Sequence, residues 1–228
     1  MRNYLIGASI SIASIANAVE VTNADAELTQ AACDTTNSYY VSMLDGFTGD
    51  KDSWPCSYAG TLASNEDGSH QDFFWMYPAV SAQAPVAIWL NGGPGASSAF
   101  ANFLFSSPLR IAQGTDEDGD PLFSMYTSED TWINQATMIY IDQPVGTGFS
   151  YGEPLLTTMD EAASEFATLV TNIWETFPQL KTKDLYMTGE SYAGKYIPRF
   201  SWELFNIDNN KFNLKASLVG DPYTAPLT

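Results

Sequence analysis

Positive charge is scarce in this chain: nine lysines and arginines stand against 27 acidic residues, a formal net charge of −18. A nucleic-acid partner is thereby excluded, because a polyanion is repelled across most of such a surface. The same imbalance suits either plain solubility or residence in an acidic compartment, where many of these carboxylates carry a proton. No Asn-x-Ser/Thr sequence occurs, so N-glycosylation is not expected. Histidine is almost absent: the one copy, His70, lies in a polar stretch before an apolar run, where a solvated loop side chain is expected. There are two cysteines, Cys33 and Cys56, and no cluster with metal-ligand spacing.

Long apolar runs are missing as well, and nothing after the first residues approaches the ~20 apolar residues of a membrane span. The start of the chain carries an address instead. Arg2 precedes a small and apolar stretch from Tyr4 to Ile15, and Ala16-Asn17-Ala18 fits the small-x-small rule of signal peptidase. Residues 1–18 are read as a signal peptide, cleaved after Ala18, and 19–228 as the mature protein, bound for the secretory pathway. In that oxidising route a Cys33–Cys56 disulfide is favoured over two buried thiols.

What remains is a 45% hydrophobic, 14% aromatic sequence able to bury one sizeable core. Clusters of Gly, Pro, Asn and Asp at 45–52, 65–69, 114–121 and 208–210 read as loops. Between them stand apolar runs of strand length, at 73–77, 86–90, 138–141, 185–187 and 214–219, without alternation, as expected of strands covered on both faces. From Met159 to Phe177 the apolar period changes to three and four, an amphipathic helix with Thr158 and Glu161 at capping-box spacing and Pro178 at its end. A strand, a long helix and a second strand make a βαβ unit, so the class is α/β with a mainly parallel sheet and flanking helices.

Two segments carry chemistry. In Leu185-Tyr186-Met187-Thr188-Gly189-Glu190-Ser191-Tyr192-Ala193-Gly194 an apolar strand runs into a Gly-x-Ser-x-small turn with a helix expected after it, the context of a nucleophile elbow. Small flanking residues are needed because backbones approach closely there, and Ala193 satisfies this. In Asn91-Gly92-Gly93-Pro94-Gly95-Ala96-Ser97-Ser98 the glycines let peptide N–H groups point outward at a developing oxyanion. A phosphate-binding loop is disfavoured, since no lysine follows the glycines and Pro94 removes a donor.

A third segment completes the pattern: Trp132 with Ile139-Tyr140-Ile141-Asp142-Gln143-Pro144-Val145-Gly146-Thr147-Gly148-Phe149-Ser150-Tyr151, together with Gly220-Asp221-Pro222-Tyr223. In content, order and spacing these segments resemble the serine carboxypeptidase family, from about Tyr58 to Pro226. The resemblance implies an α/β-hydrolase fold, no cofactor or metal, and peptide or protein C-termini as substrate. It also implies a lysosomal, vacuolar or extracellular setting. It makes Ser191 the acyl-forming nucleophile and the N–H groups of Gly93 and Tyr192 the oxyanion hole. Asn91, Gly92 and Glu190 then grip the substrate's C-terminal carboxylate, a task for which a protonated Glu190 is suited because it can donate a hydrogen bond. Acyltransferases and hydroxynitrile lyases use the same framework. This sequence departs from the family pattern where Ala96 replaces a common cysteine and Phe105 an acidic residue.

The triad of this fold runs Ser, then Asp or Glu, then His along the chain. No histidine follows Ser191, and Asp208 and Asp221 precede the place of the family's acid. The expectation is therefore the nucleophile-bearing N-terminal part of such a domain, inactive alone, with a non-catalytic secreted homologue or a truncated gene product as the other reading.

Overall fold

The computed structural model describes residues 27–207 and 211–225, so the expected signal peptide and Asp208 lie outside the described residues. Its centre is a six-stranded sheet in the order β1-β2-β6-β3-β7-β8, built from β1 (Tyr58–Ala63), β2 (Gln71–Tyr77), β3 (Val86–Leu90), β6 (Thr137–Asp142), β7 (Asp184–Glu190) and β8 (Asn213–Gly220). The β6–β3, β3–β7 and β7–β8 pairs are parallel, whereas β1–β2 and β2–β6 are antiparallel. The sheet is thus mixed and mostly parallel.

The unalternated apolar runs have the cause expected of them. In β3, Val86, Ile88 and Leu90 point into one core and Ala87 and Trp89 into the other; in β6, Ile139 and Ile141 separate from Met138 and Tyr140 in the same way. One layer covering the sheet is α2 (Met159–Thr176) with α3 (Ala193–Asn206); the stacked rings of Phe166 and Phe200, 4.6 Å apart, join the two helices. Thr158 and Glu161 form the expected capping box, and α2 buries Phe166, Leu169, Val170, Ile173 and Trp174, each stabilising by about 1.5–3 kcal/mol.

The other face is covered by pieces that the apolar pattern does not announce. One is a short α1 (Ala99–Ala101) continued by a π turn over 102–106. Another is an antiparallel ribbon, β4 (Leu109–Thr115) with β5 (Pro121–Thr127), where the expected loop at 114–121 is only the ribbon's end. A disulfide joins Cys33 to Cys56, Cα atoms 5.7 Å apart, and fastens the segment before β1 to the sheet. The Gln30 side chain reinforces it, accepting from the Cys56 N–H and donating to the Cys56 and Pro78 carbonyls. No described helix is long and apolar enough to cross a membrane.

Candidate active site

The parallel strands β3 and β7 are neighbours, so the segments that leave their C-terminal ends are neighbours too. Ser191 stands between β7 and α3 with φ +57°, in the left-handed region that a serine enters only when its surroundings hold it there. Those surroundings are specific. The Ser191 N–H donates to the Gly220 carbonyl at 3.1 Å, and the Ser191 carbonyl accepts from Tyr223 N–H at 2.8 Å and Gly194 N–H at 2.9 Å. Pro222 and Tyr223 press on Gly194 so closely that a Cβ there would lie 2.8 Å from Pro222 Cβ, and the Tyr223 ring stacks on Tyr192. The Gly220–Tyr223 segment therefore braces the elbow. The side chain of Ser191 is exposed.

The glycine turn after β3 packs against this elbow. A Cβ on Gly92 would lie 2.5 Å from Tyr192 N, 2.8 Å from the Glu190 carbonyl and 2.9 Å from Ser191 Cβ, so only glycine fits. Gly93 and Gly95 have φ of +108° and +81°, and Ala96 N–H closes the turn on the Gly92 carbonyl. The six residues expected to form the site, Asn91, Gly92, Gly93, Glu190, Ser191 and Tyr192, thus lie on these two abutting turns.

Two supports of the site have no local signature. The Trp89 indole N–H donates to Asn91 Oδ1 at 2.7 Å, which aims the Asn91 amide N–H at Glu190 Oε1, 3.3 Å away. Trp89 is itself held edge-on between Phe105 and Trp132 at 5.6 and 5.3 Å, so Phe105 supports the indole that orients Asn91. The second support is Asp142 at the end of β6. Its buried carboxylate accepts from Ser97 Oγ, Ser98 N–H and Phe149 N–H at 2.7, 2.8 and 3.0 Å, binding the glycine turn to the 143–151 segment. Ser98 Oγ continues the web by donating to the Ile141 carbonyl and accepting from Asn91 N–H. The shared Asp142-to-Ser150 sequence pattern was legible; its role as a clasp was not, because Ser98 and Asp142 lie 44 residues apart.

One expectation is corrected. His70 is not solvated but 4% exposed, with Nδ1 2.7 Å from Glu165 Oε1 of α2. A partner 95 residues away buries it, which the polar residues around it in sequence do not reveal. Among the described residues, no group of three or more His, Cys, Asp or Glu is arranged to hold a metal.

Comparison with known proteins agrees with this geometry. The family model described as serine carboxypeptidase matches residues 50–228. The venom serine carboxypeptidase of Apis mellifera is 37% identical over 179 residues, covering 75% of this chain and 37% of its own length. Serine carboxypeptidase S10 family member 2 of Dictyostelium discoideum is 34% identical over 208 residues, covering 85% of this chain and 36% of its own. Among solved structures, the prohormone-processing carboxypeptidase Kex1 of Saccharomyces cerevisiae superposes with a TM-score of 0.62 at 29% identity, over 76% of this chain and 40% of that one. The chain spans well under half the length of these relatives. The mostly parallel sheet, the strained serine between β7 and α3 and these matches agree: the fold is that of the α/β-hydrolases, and the chain belongs to the serine carboxypeptidase family.

Proposed function

We propose that the chain carries the nucleophile and carboxylate-recognition half of a serine-type carboxypeptidase that removes C-terminal residues from peptides through an acyl-enzyme on Ser191. The observation that supports this most is the strained Ser191 set against a glycine turn that tolerates no side chain at Gly92. In this reading Ser191 Oγ attacks the last peptide carbonyl, the oxyanion is held by the N–H groups of Gly93 and Tyr192, the C-terminal amino acid leaves, and water releases the acyl group. The Asn91 amide, the Gly92 backbone and Glu190 hold the substrate's terminal carboxylate. A signal peptide over 1–18 and the serial acidic side chains fit delivery through the secretory pathway to an acidic or extracellular site.

The attack also needs a base to take the Ser191 proton. The chain's one histidine is engaged with Glu165, so these 228 residues alone are inactive in this reading. A second reading is a non-catalytic homologue that binds peptide C-termini without cleaving them. Chemical rescue separates the two. The protein is treated with a fluorophosphonate with and without added imidazole, and modification of Ser191 is followed by mass spectrometry, with Ser191→Ala as control. Imidazole-dependent labelling of Ser191 supports a built nucleophile and oxyanion hole that lack only their base. Absence of labelling at every imidazole concentration, in protein that still binds a free-carboxylate peptide, overturns the catalytic reading in favour of the binding one.

A further inference from the structure

Away from the elbow, three ionisable side chains converge beneath α2, and the proposed reaction uses none of them. His70 ends the hairpin turn that connects β1 to β2, Asp72 is in β2, and Glu165 is in α2. His70 is 4% and Asp72 1% exposed, and the Glu165 side chain is 14% exposed. His70 Nδ1 and Glu165 Oε1 are 2.7 Å apart. Three other polar atoms at the cluster are unsatisfied. Asp72 Oδ1, Glu165 Oε2 and the neighbouring Ser64 Oγ are buried without hydrogen-bond partners. Among the described residues, no lysine or arginine pairs with any of the three. Two carboxylates and one imidazole in so dry a place cannot all be ionised cheaply. A proton on Asp72 removes one charge and supplies a donor where an unpaired acceptor now faces a serine hydroxyl.

The cluster sits at a junction. Gln71 and Tyr151 exchange both backbone hydrogen bonds at 2.9 Å, which lays the 151–153 segment along the start of β2. Gly152 packs so tightly on the imidazole that a Cβ would lie 2.6 Å from His70 Cδ2. Ser150, whose hydroxyl also borders Asp72, donates to the Asp142 carbonyl and accepts from Phe73 N–H. Three pieces of chain meet at these groups: the β1–β2 hairpin, helix α2 and the segment that continues from the Asp142 clasp.

We propose that His70, Asp72 and Glu165 form an acid-stabilised lock that fastens the β1–β2 hairpin and the 151–153 segment to α2, tight in mildly acidic surroundings and loosened as the pH rises past neutrality. The groups facing it are Glu161 of α2, Asp67 of the hairpin turn and the Glu153 carbonyl, besides the Ser64 and Ser150 hydroxyls. All three members hold protons more tightly folded than unfolded. Burial, then the Glu165 charge, pushes Asp72 from 3.8 to about 7. Burial raises Glu165 and outweighs the lowering by His70. For His70, burial opposes the cation, but the hydrogen bond and charge of Glu165, with the Glu153 carbonyl and Asp72, prevail and raise it above 6.5. For each raised group, folding is favoured at low pH. The Asp72 contribution fades as pH climbs from about 4 to about 7, the Glu165 contribution is lost as pH rises through that group's own raised value, and the histidine contribution is complete below 6.5 and lost as pH rises through its folded value.

The single histidine makes the test direct, because the chain has only one imidazole signal. Its NMR titration is expected to have a midpoint above 6.5, moved down to 6.5 or below by Glu165→Gln. The melting temperature is expected to fall by roughly 5–10 °C from about pH 5 to about pH 8, with at least half of that dependence lost in Asp72→Asn. Repulsion among the chain's many acids also weakens the fold with rising pH, so Glu117→Gln, in the exposed turn between β4 and β5, is the control for removing one charge. Equal slopes for Asp72→Asn and Glu117→Gln overturn the lock. So does a wild-type histidine midpoint at or below 6.5, a result that stands even where Asp72→Asn does not fold.

Discussion

The two sides of β7 differ sharply. On one side β3 and β6 are buried at every position and end in the turns that build the site. On the other, β8 pairs with β7 along its whole length yet is exposed at most positions, with Leu218 at 56%. Beside it α3 leaves Trp202 and Phe205 in solvent. Backbone pairing alone, then, does not make a strand part of the core. The site rests on strands covered from both faces, while the last strand contributes its following segment, Gly220–Tyr223, more than its side chains.

That contrast can be broken by substitution. Ile88→Ala in β3 is expected to cost about 3–4 kcal/mol in urea unfolding, because a fully buried side chain leaves a cavity between sheet and helices. A loss near zero would mean that the centre is not packed as described. Opening the Cys33–Cys56 bridge, which spans 23 residues, should cost about 3 kcal/mol, read as the drop in melting midpoint on reduction. Asp142→Ala strips partners from Ser97, Ser98 and Phe149 and should cost about 2–3 kcal/mol; it should also speed amide exchange at Ser98 and Phe149 more than at β8. Thr158→Ala removes one half of the capping box of α2, for about 1 kcal/mol. The smallest effect belongs to the exposed edge. Leu218→Lys should stay within about 0.5 kcal/mol of the wild type while lowering self-association in light scattering, since a charge on an edge strand discourages pairing between copies.

How far the sequence could be read follows the same division. Strands β3 and β6 and helix α2 were legible within a residue or two, because burial on both faces, or on one helical face, leaves a run or a period in the chain itself. The ribbon of β4 and β5 was not, since β5 is largely exposed and pairs only with β4 and, at Met125, with the 46–48 segment, leaving a glycine-rich turn as the visible sign. In the candidate site, Ser191 and the Gly92–Gly93 turn were legible from close backbone approach, which demands small residues locally. Trp89, Asp142 and the burial of His70 were not, because each depends on a partner that the fold alone supplies: an indole lodged between two distant rings, a carboxylate clasping another turn, an imidazole under a helix.

The brace on the elbow bears on the order of events at the ribosome. Both backbone groups of Ser191 are committed to residues that are made after it: its N–H to Gly220 and its carbonyl to Tyr223. While α3 and β8 are still inside the exit tunnel, the serine has nothing to hold it at a left-handed angle and relaxes to an ordinary turn. The glycine turn after β3, with Asp142 already synthesised, has its clasp available earlier. The clasp on the glycine turn can therefore close before the brace on the elbow, and the left-handed backbone of Ser191 can form only once the stretch through Tyr223 has left the tunnel.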